Sequence, residues 1–203
     1  TGIKKRVRAW ALKRGMDATS EQAWIYITKA GTNLCANPEE LRATVEAASA
    51  ALGQAVVLIV IDTLAANFGQ GDENHAGDMG LAIANVRAAA PAAAVLLVHH
   101  SGHGAEERER GSYALQASAD YRLRAKYDEP AKLIELAWQK VKDDERPEPM
   151  YFAWERVDLD WQDADGEELS SVVLELDENP PAMPQEARQA MNKTRGLGGN
   201  QET

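Results

Sequence analysis

With one cysteine, Cys35, in 203 residues, the chain cannot close an intrachain disulfide, and that thiol in a loop beside a helix suits a reducing compartment. Cys35 is read as a small apolar residue. No apolar run approaches the roughly 20 residues that a membrane span needs, and no secretory leader is visible, so a cytoplasmic protein without a membrane partner is expected. Cations are in short supply: 22 Lys and Arg face 32 Asp and Glu, a formal net charge of −10. That balance excludes a broad basic face gripping duplex DNA through its phosphates, so any nucleic-acid contact must be local. Also missing is a GxxxxGK[ST] sequence, the glycine-rich loop whose amides and lysine cradle nucleotide phosphates. No internal repeat stands out.

What remains is an ordinary globular composition, 44% hydrophobic and 27% charged, long enough for one sizeable α/β core. Residues 1–14 hold six Lys or Arg and no acid; a solvated helix face is the plain reading, a partner or DNA contact the other. Ile3, Val7 and Trp10 recur at helical spacing and predict an amphipathic opening helix with its cations in water. Residues 23–28, AWIYIT, are of strand type. Asn37, Pro38 and Glu40 supply the start signals of a helix that runs through Leu41, Val45, Ala48 and Leu52 and stops at Gly53.

Residues 54–62, QAVVLIVID, form an unbroken apolar run that predicts a parallel strand covered on both faces and ending on a carboxylate. Met79, Ile83, Val86 and Ala90 mark a helix stopped by Pro91, and residues 93–99 predict a second buried strand. This alternation predicts an α/β fold with a mostly parallel sheet flanked by helices. Function is then expected at the C-terminal strand ends, where Asp62 and residues 99–103 lie. From Ala119 four strands of period two follow, over residues 119–126, 132–142, 150–159 and 169–177, read as an antiparallel extension of that sheet. Residues 179–203, with Pro180, Pro181 and Pro184, read as a linker or tail.

Asp62 carries the first chemical signal. Four or more apolar residues followed by Asp is the pattern of a Walker B strand, whose carboxylate holds a water on Mg²⁺ bound to nucleotide phosphates. A turn or cap residue is the plain alternative. The wider series is more specific: Asp62-Thr63-Leu64, then NFGQGDENHAGDMG, VLLVHHSGHG, RERGSYALQASADYRLRA and QKVKDDE in that order. Over residues 1 to about 176 it resembles the RepA-type hexameric replicative helicases of the RecA-like P-loop NTPases.

The resemblance implies a RecA-like ATPase core over residues 1–178 that binds ATP and Mg²⁺, assembles as a ring, most simply a hexamer, and passes single-stranded DNA through its channel. Asp62 matches the Walker B aspartate, holding Mg²⁺ through water beside Thr63. His99 or His100 matches the sensor of the γ-phosphate, a role that suits an imidazole because it donates a hydrogen bond without permanent charge. Residues 101–111 match the channel loop, with Gly102, His103 and Arg108 in it. Arg110, Gly111 and Ser112 match an Arg-Gly-Ser element before a short helix, and Asp120 an acid before the next strand. Replication of phage, plasmid or mobile-element DNA is the implied setting.

Lys140 and Lys142 continue the row of Ile134, Leu136 and Trp138 on one strand face. In ring helicases a comparable basic pair reaches the neighbouring subunit's nucleotide; two solvated lysines beside Asp143 and Asp144 are the equal alternative. Asp72, Glu73 and Asn74 read either as helpers of the metal water or as a helix-capping cluster. Because the family's glycine loop lies upstream of the segment matching Thr1, the chain reads as the C-terminal part of such a motor, unable by itself to hydrolyse ATP, with ATP and Mg²⁺ expected only for the complete protein. A non-catalytic interaction module is the alternative.

Overall fold

Pro38 can open a helix because its missing N–H would be unsatisfied there anyway, and Gly53 can close one because φ +65° costs it little. Between them runs α2, Pro38–Leu52. The computed structural model describes residues 2–16, 25–28, 31–36, 38–100 and 113–178. Within these the element order is α1 (Gly2–Lys13), α2, β1 (Leu58–Asp62), α3 (Leu64–Asn67), α4 (Ala76–Ala89), β2 (Ala94–Val98), α5 (Tyr113–Ser118), β3 (Tyr121–Asp128), β4 (Leu133–Val141), β5 (Met150–Gln162) and β6 (Glu168–Leu176). The chain divides into two compact units, Ala18–Asp120 and Thr1–Asp17 with Tyr121–Thr203.

In the Ala18–Asp120 unit β1 and β2 pair in parallel, Ile59 opposite Val95 and Ile61 opposite Leu97. Leu34, Leu41, Ile61, Leu64, Phe68, Met79, Ala82, Val86 and Ala89 form the core, with Ile59, Val95 and Leu97 packed against it. Leu64 and Met79 are fully buried, each worth about 1.5–3 kcal/mol relative to exposure. The helix expected around Met79 and Val86 is α4, and Pro91 follows it. Two expectations fail here. Residues 25–28 are not a strand, and Ile25 and Tyr26 are exposed; a β-branched and aromatic run needs a partner to become one. The apolar run ending at Asp62 is covered on one face only, since Leu58, Val60 and Leu96 are 53%, 54% and 46% exposed. Strand alternation turns these residues away from the helices.

In the other unit β3, β4, β5 and β6 form an antiparallel sheet in sequence order. It is a sheet of its own and not, as expected, an extension of the parallel one. Tyr127, Ile134, Phe152 and Leu176 stand in one row across the four strands, and Tyr127 meets Trp154 edge-on at 5.1 Å. On the opposite side α1 lies over β5 and β6, with Ala9, Leu159 and Val173 buried and Leu12, Val157 and Leu169 packed beside them. Three ion pairs rivet the helix down: Arg8 with Asp160 at 3.0 Å, Lys13 with Glu155 at 2.7 Å and Arg14 with Glu175 at 3.5 Å.

The expected α1 is present and Lys4, Arg6 and Lys13 are exposed as expected, but of the apolar row Ile3, Val7 and Trp10 only Val7 is half-buried. The helix packs through Arg8, Ala9 and Leu12, while Ile3 and Trp10, the intended apolar side, are 51% and 45% exposed. Alanine lets the helix approach the sheet closely, and the arginine stem covers apolar surface while its head reaches a carboxylate. The segment 179–203 lies outside the described residues.

Candidate functional site

Parallel pairing of β1 and β2 puts both C-terminal ends at one edge. Asp62, the last residue of β1, stands opposite Val98, the last of β2, so His99 is the next residue beyond that pair. Asp62 and His100 are exposed and His99 is half-buried. Both strands therefore release their following residues at one edge of the parallel pair, where open-sheet proteins place ligands.

Thr63 turns the chain out of β1. Its extended backbone (φ −105°, ψ 165°) makes it the N-cap of α3, and its hydroxyl accepts the Ala66 N–H at 3.3 Å. The Asp62–Thr63 peptide is cis. Asn67 holds this turn: Nδ2 donates to the Thr63 carbonyl at 2.8 Å and Oδ1 accepts from Thr32 N at 3.0 Å. Leu34 N donates to Asn67 O and Cys35 N to Phe68 O, at 2.9 and 3.3 Å, which ties residues 31–36 to the segment after Asp62. From the other side Asn85, the buried polar residue of α4, donates through Nδ2 to Leu34 O at 2.8 Å. Sequence reading missed Asn67 and Asn85. Asn85 left one trace, a polar residue inside the core row Ala82, Val86, Ala89; Asn67 left none.

The acidic stretch before α4 folds on itself rather than capping the helix, whose N-cap is His75 with no side-chain cap hydrogen bond. Asp72 accepts from the backbone and side-chain amides of Asn74 at 2.8 and 3.1 Å. Asp78 accepts from Asp72 N at 2.9 Å and pairs with His75 Nδ1 at 3.1 Å. The Asp72 amide first, and then His75, hold the Asp78 carboxyl below its usual value, because both stabilise the ionised form. Among the described residues no group of three His, Cys, Asp or Glu is placed to hold a metal ion. Cys35 is half-buried with Sγ 3.9 Å from Asp78 O; burial first, then the Asp78 charge, push its thiol pKa up. It is a packing residue, as expected.

Lys140 and Lys142 depart from the predicted face. The β3–β4 register passes from Arg122 opposite Lys140 to Leu123 opposite Trp138, leaving Gln139 with no partner on β3. This bulge reverses the alternation, so Lys140 shares the side of Arg122 rather than that of Trp138. Lys142 lies beyond the end of β4 and is exposed. Both belong to the antiparallel unit and Asp62 to the other. Gly102, His103, Arg108, Arg110, Gly111 and Ser112 lie outside the described residues. The short helix expected after them is α5.

Among the described residues no helix is long and apolar enough to cross a membrane. The chain matches none of the curated proteins. Residues 1–106 match the sequence model of the AAA domain, and the chain belongs to that family.

Proposed function

We propose that this chain is part of a RecA-like, RepA-type motor that hydrolyses ATP with Mg²⁺, assembles as a ring and acts on single-stranded DNA in replication. AAA domains generally bind ATP with Mg²⁺ and often oligomerise. The observation that carries the reading is the shared edge of Asp62 and His99 at the ends of parallel β1 and β2. An exposed carboxylate is a hard oxygen donor of the kind Mg²⁺ takes through water, and the Thr63 hydroxyl keeps its proton free to donate while its oxygen caps α3. Bound Mg²⁺ would neutralise charge building on the terminal phosphate. His99 or His100 would donate to a phosphate oxygen. Lys140 and Lys142 would serve a neighbouring subunit's nucleotide, and residues 101–112 would line the DNA channel.

The sequence holds no GxxxxGK[ST] loop, so weak nucleotide binding is the expectation and the test must detect it. Paramagnetic Mn²⁺ with ATP, added to the isotope-labelled chain, should broaden the amide signals of Asp62, Thr63 and His99, and Asp62→Asn should abolish that broadening. Signals untouched at this edge, or equally broadened in Asp62→Asn, rule the reading out. A second reading, a non-catalytic AAA interaction module, predicts no Mn²⁺–ATP effect at any residue.

A further inference from the structure

The antiparallel sheet has one covered face and one bare one. Val157 on β5 and Val173 on β6 belong to the core beneath α1, so alternation turns Phe152, Trp154, Leu174 and Leu176 to the other side. Cross-strand pairing carries that bare face through Ile134 on β4 to Tyr127 on β3. Trp154, Leu174 and Leu176 are 50%, 46% and 53% exposed, although Tyr127 leans edge-on against Trp154. A contiguous apolar surface of this kind marks a docking site.

Charge on this face narrows its occupant. Arg156 and Asp158, which share it on β5, are paired with each other at 3.2 Å, and the cations of β3, Arg122, Arg124 and Lys126, alternate to the side opposite Tyr127. Single-stranded nucleic acid needs rings and phosphate-neutralising cations on one surface; here they lie on different ones. The chain itself supplies an apolar partner at the right place. Asp177 N donates to Tyr151 O at 2.8 Å, so β6 ends beside the Phe152–Leu176 pair, and residues 179–203 follow in the same compact unit. Within them Met183, Ala187, Ala190 and Met191 recur at i, i+4, i+7 and i+8, with Gln185, Glu186, Arg188, Gln189, Asn192 and Lys193 between, the pattern of a helix with one apolar stripe. Pro184 suits the first turn of such a helix.

We propose that residues 183–193 fold back as an amphipathic helix on the bare face of their own sheet, seating Met183 and Met191 against Trp154, Leu174 and Leu176. The lengths agree. Four strands span about 14 Å, a helix of about ten residues is about 15 Å long, and the connector from Asn179 to Ala182 reaches about 13 Å when extended. Methionine suits such a surface, because its flexible thioether fills irregular gaps and is attracted to aromatic rings. Pro180 and Pro181 restrict the undocked connector, which lowers the entropy lost on docking. The contact needs neither nucleotide nor a second chain, so it stands or falls apart from the motor reading.

Methyl-labelled methionine in the full 203-residue chain tests the contact by NMR. The Met183 and Met191 methyls should lie upfield of their random-coil positions, show contacts to the Trp154 indole, and keep both features on dilution. Tryptic cleavage after Arg188 should be slow in the parent and about tenfold faster in Met191→Glu, because cleavage follows the population of the undocked segment. Met191→Leu should stay protected. Leu174→Glu should release the segment from the sheet's side; if that variant fails to fold, Met191→Glu still decides, since it lies outside the sheet. Random-coil methyls, or cleavage equally fast in the parent and Met191→Glu, overturn the proposal. So do methyl shifts that vanish on dilution, which would assign the face to a second copy, and random-coil methyls beside a Trp154 indole that responds to an oligothymidine, which would assign it to nucleic acid.

Discussion

Asn67 and Thr63 are joined by a 2.8 Å hydrogen bond from side-chain Nδ2 to backbone carbonyl, and the same amide's oxygen accepts the Thr32 N–H at 3.0 Å. One side chain therefore binds the turn after Asp62 to residues 31–36. Asn67→Ala should lose about 1–3 kcal/mol, the cost of leaving half-buried backbone groups unpaired. Amide exchange at Thr32 and Leu34 should accelerate. Asn67→Asp, which keeps the acceptor and loses the donor, should speed exchange less at Thr32. Unaltered exchange at both amides contradicts the clip.

Asn85 is 9% exposed and gives its side-chain amide to Leu34 O. Asn85→Leu adds apolar volume but strands that carbonyl, so a loss of about 1–3 kcal/mol is expected despite the more hydrophobic residue. Asn85→Asp should be at least as damaging, because it sets an acceptor against acceptors. Urea unfolding midpoints decide, and a stabilised Asn85→Leu would show that the bond contributes nothing.

Asp78 should make stability fall in acid. Its folded pKa is depressed by the Asp72 amide and by His75, so its contribution is present above the unfolded value and lost as pH falls through the folded one. At pH 5 to 7 the parent should melt above Asp78→Asn, and the gap should close below roughly pH 4, the ordinary carboxylate range. A gap that is constant from pH 6 to well below pH 3 contradicts this assignment.

Two glycines should respond in opposite directions to alanine. Gly69 has φ +84° and a Cβ there would overlap the Asn33 side chain, so Gly69→Ala should cost more than about 1 kcal/mol through strain and collision. Gly80 lies inside α4 with open space where its Cβ would go, and Gly80→Ala should stabilise by about 0.5–1 kcal/mol. Thermal melts of the pair measure both signs.

Where the secondary structure was legible, the signal was local. Pro38 and Pro91 mark helix ends because a locked φ admits few alternatives, and Gly53 because it takes the left-handed cap at little cost; the period-two runs after Ala119 reappear as β3 to β6. The edge carrying Asp62 and His99 was legible too, since two apolar runs joined by a helix pair in parallel and end on the same side. The site beyond that edge was not. Asn67 serves it through residues 31–36, about thirty positions away, and no local pattern marks such a partner. Lys140 was assigned to the wrong face because strand alternation assumes regular pairing, and the bulge at Gln139 exists only against β3.

The amino-acid sequence on its own determined which segments become helix or strand, where most of them stop, and that an acid and an imidazole share one sheet edge. These follow from backbone sterics and from apolar periodicity, which act over a few residues. Tertiary structure alone decided which face of each element is covered: one side of β1 and β2, and the Ala9 side of α1 with Ile3 and Trp10 left in solvent. It also decided that the antiparallel strands form their own sheet. Burial depends on what lies opposite, and an amphipathic pattern records that a face is apolar without recording what will meet it.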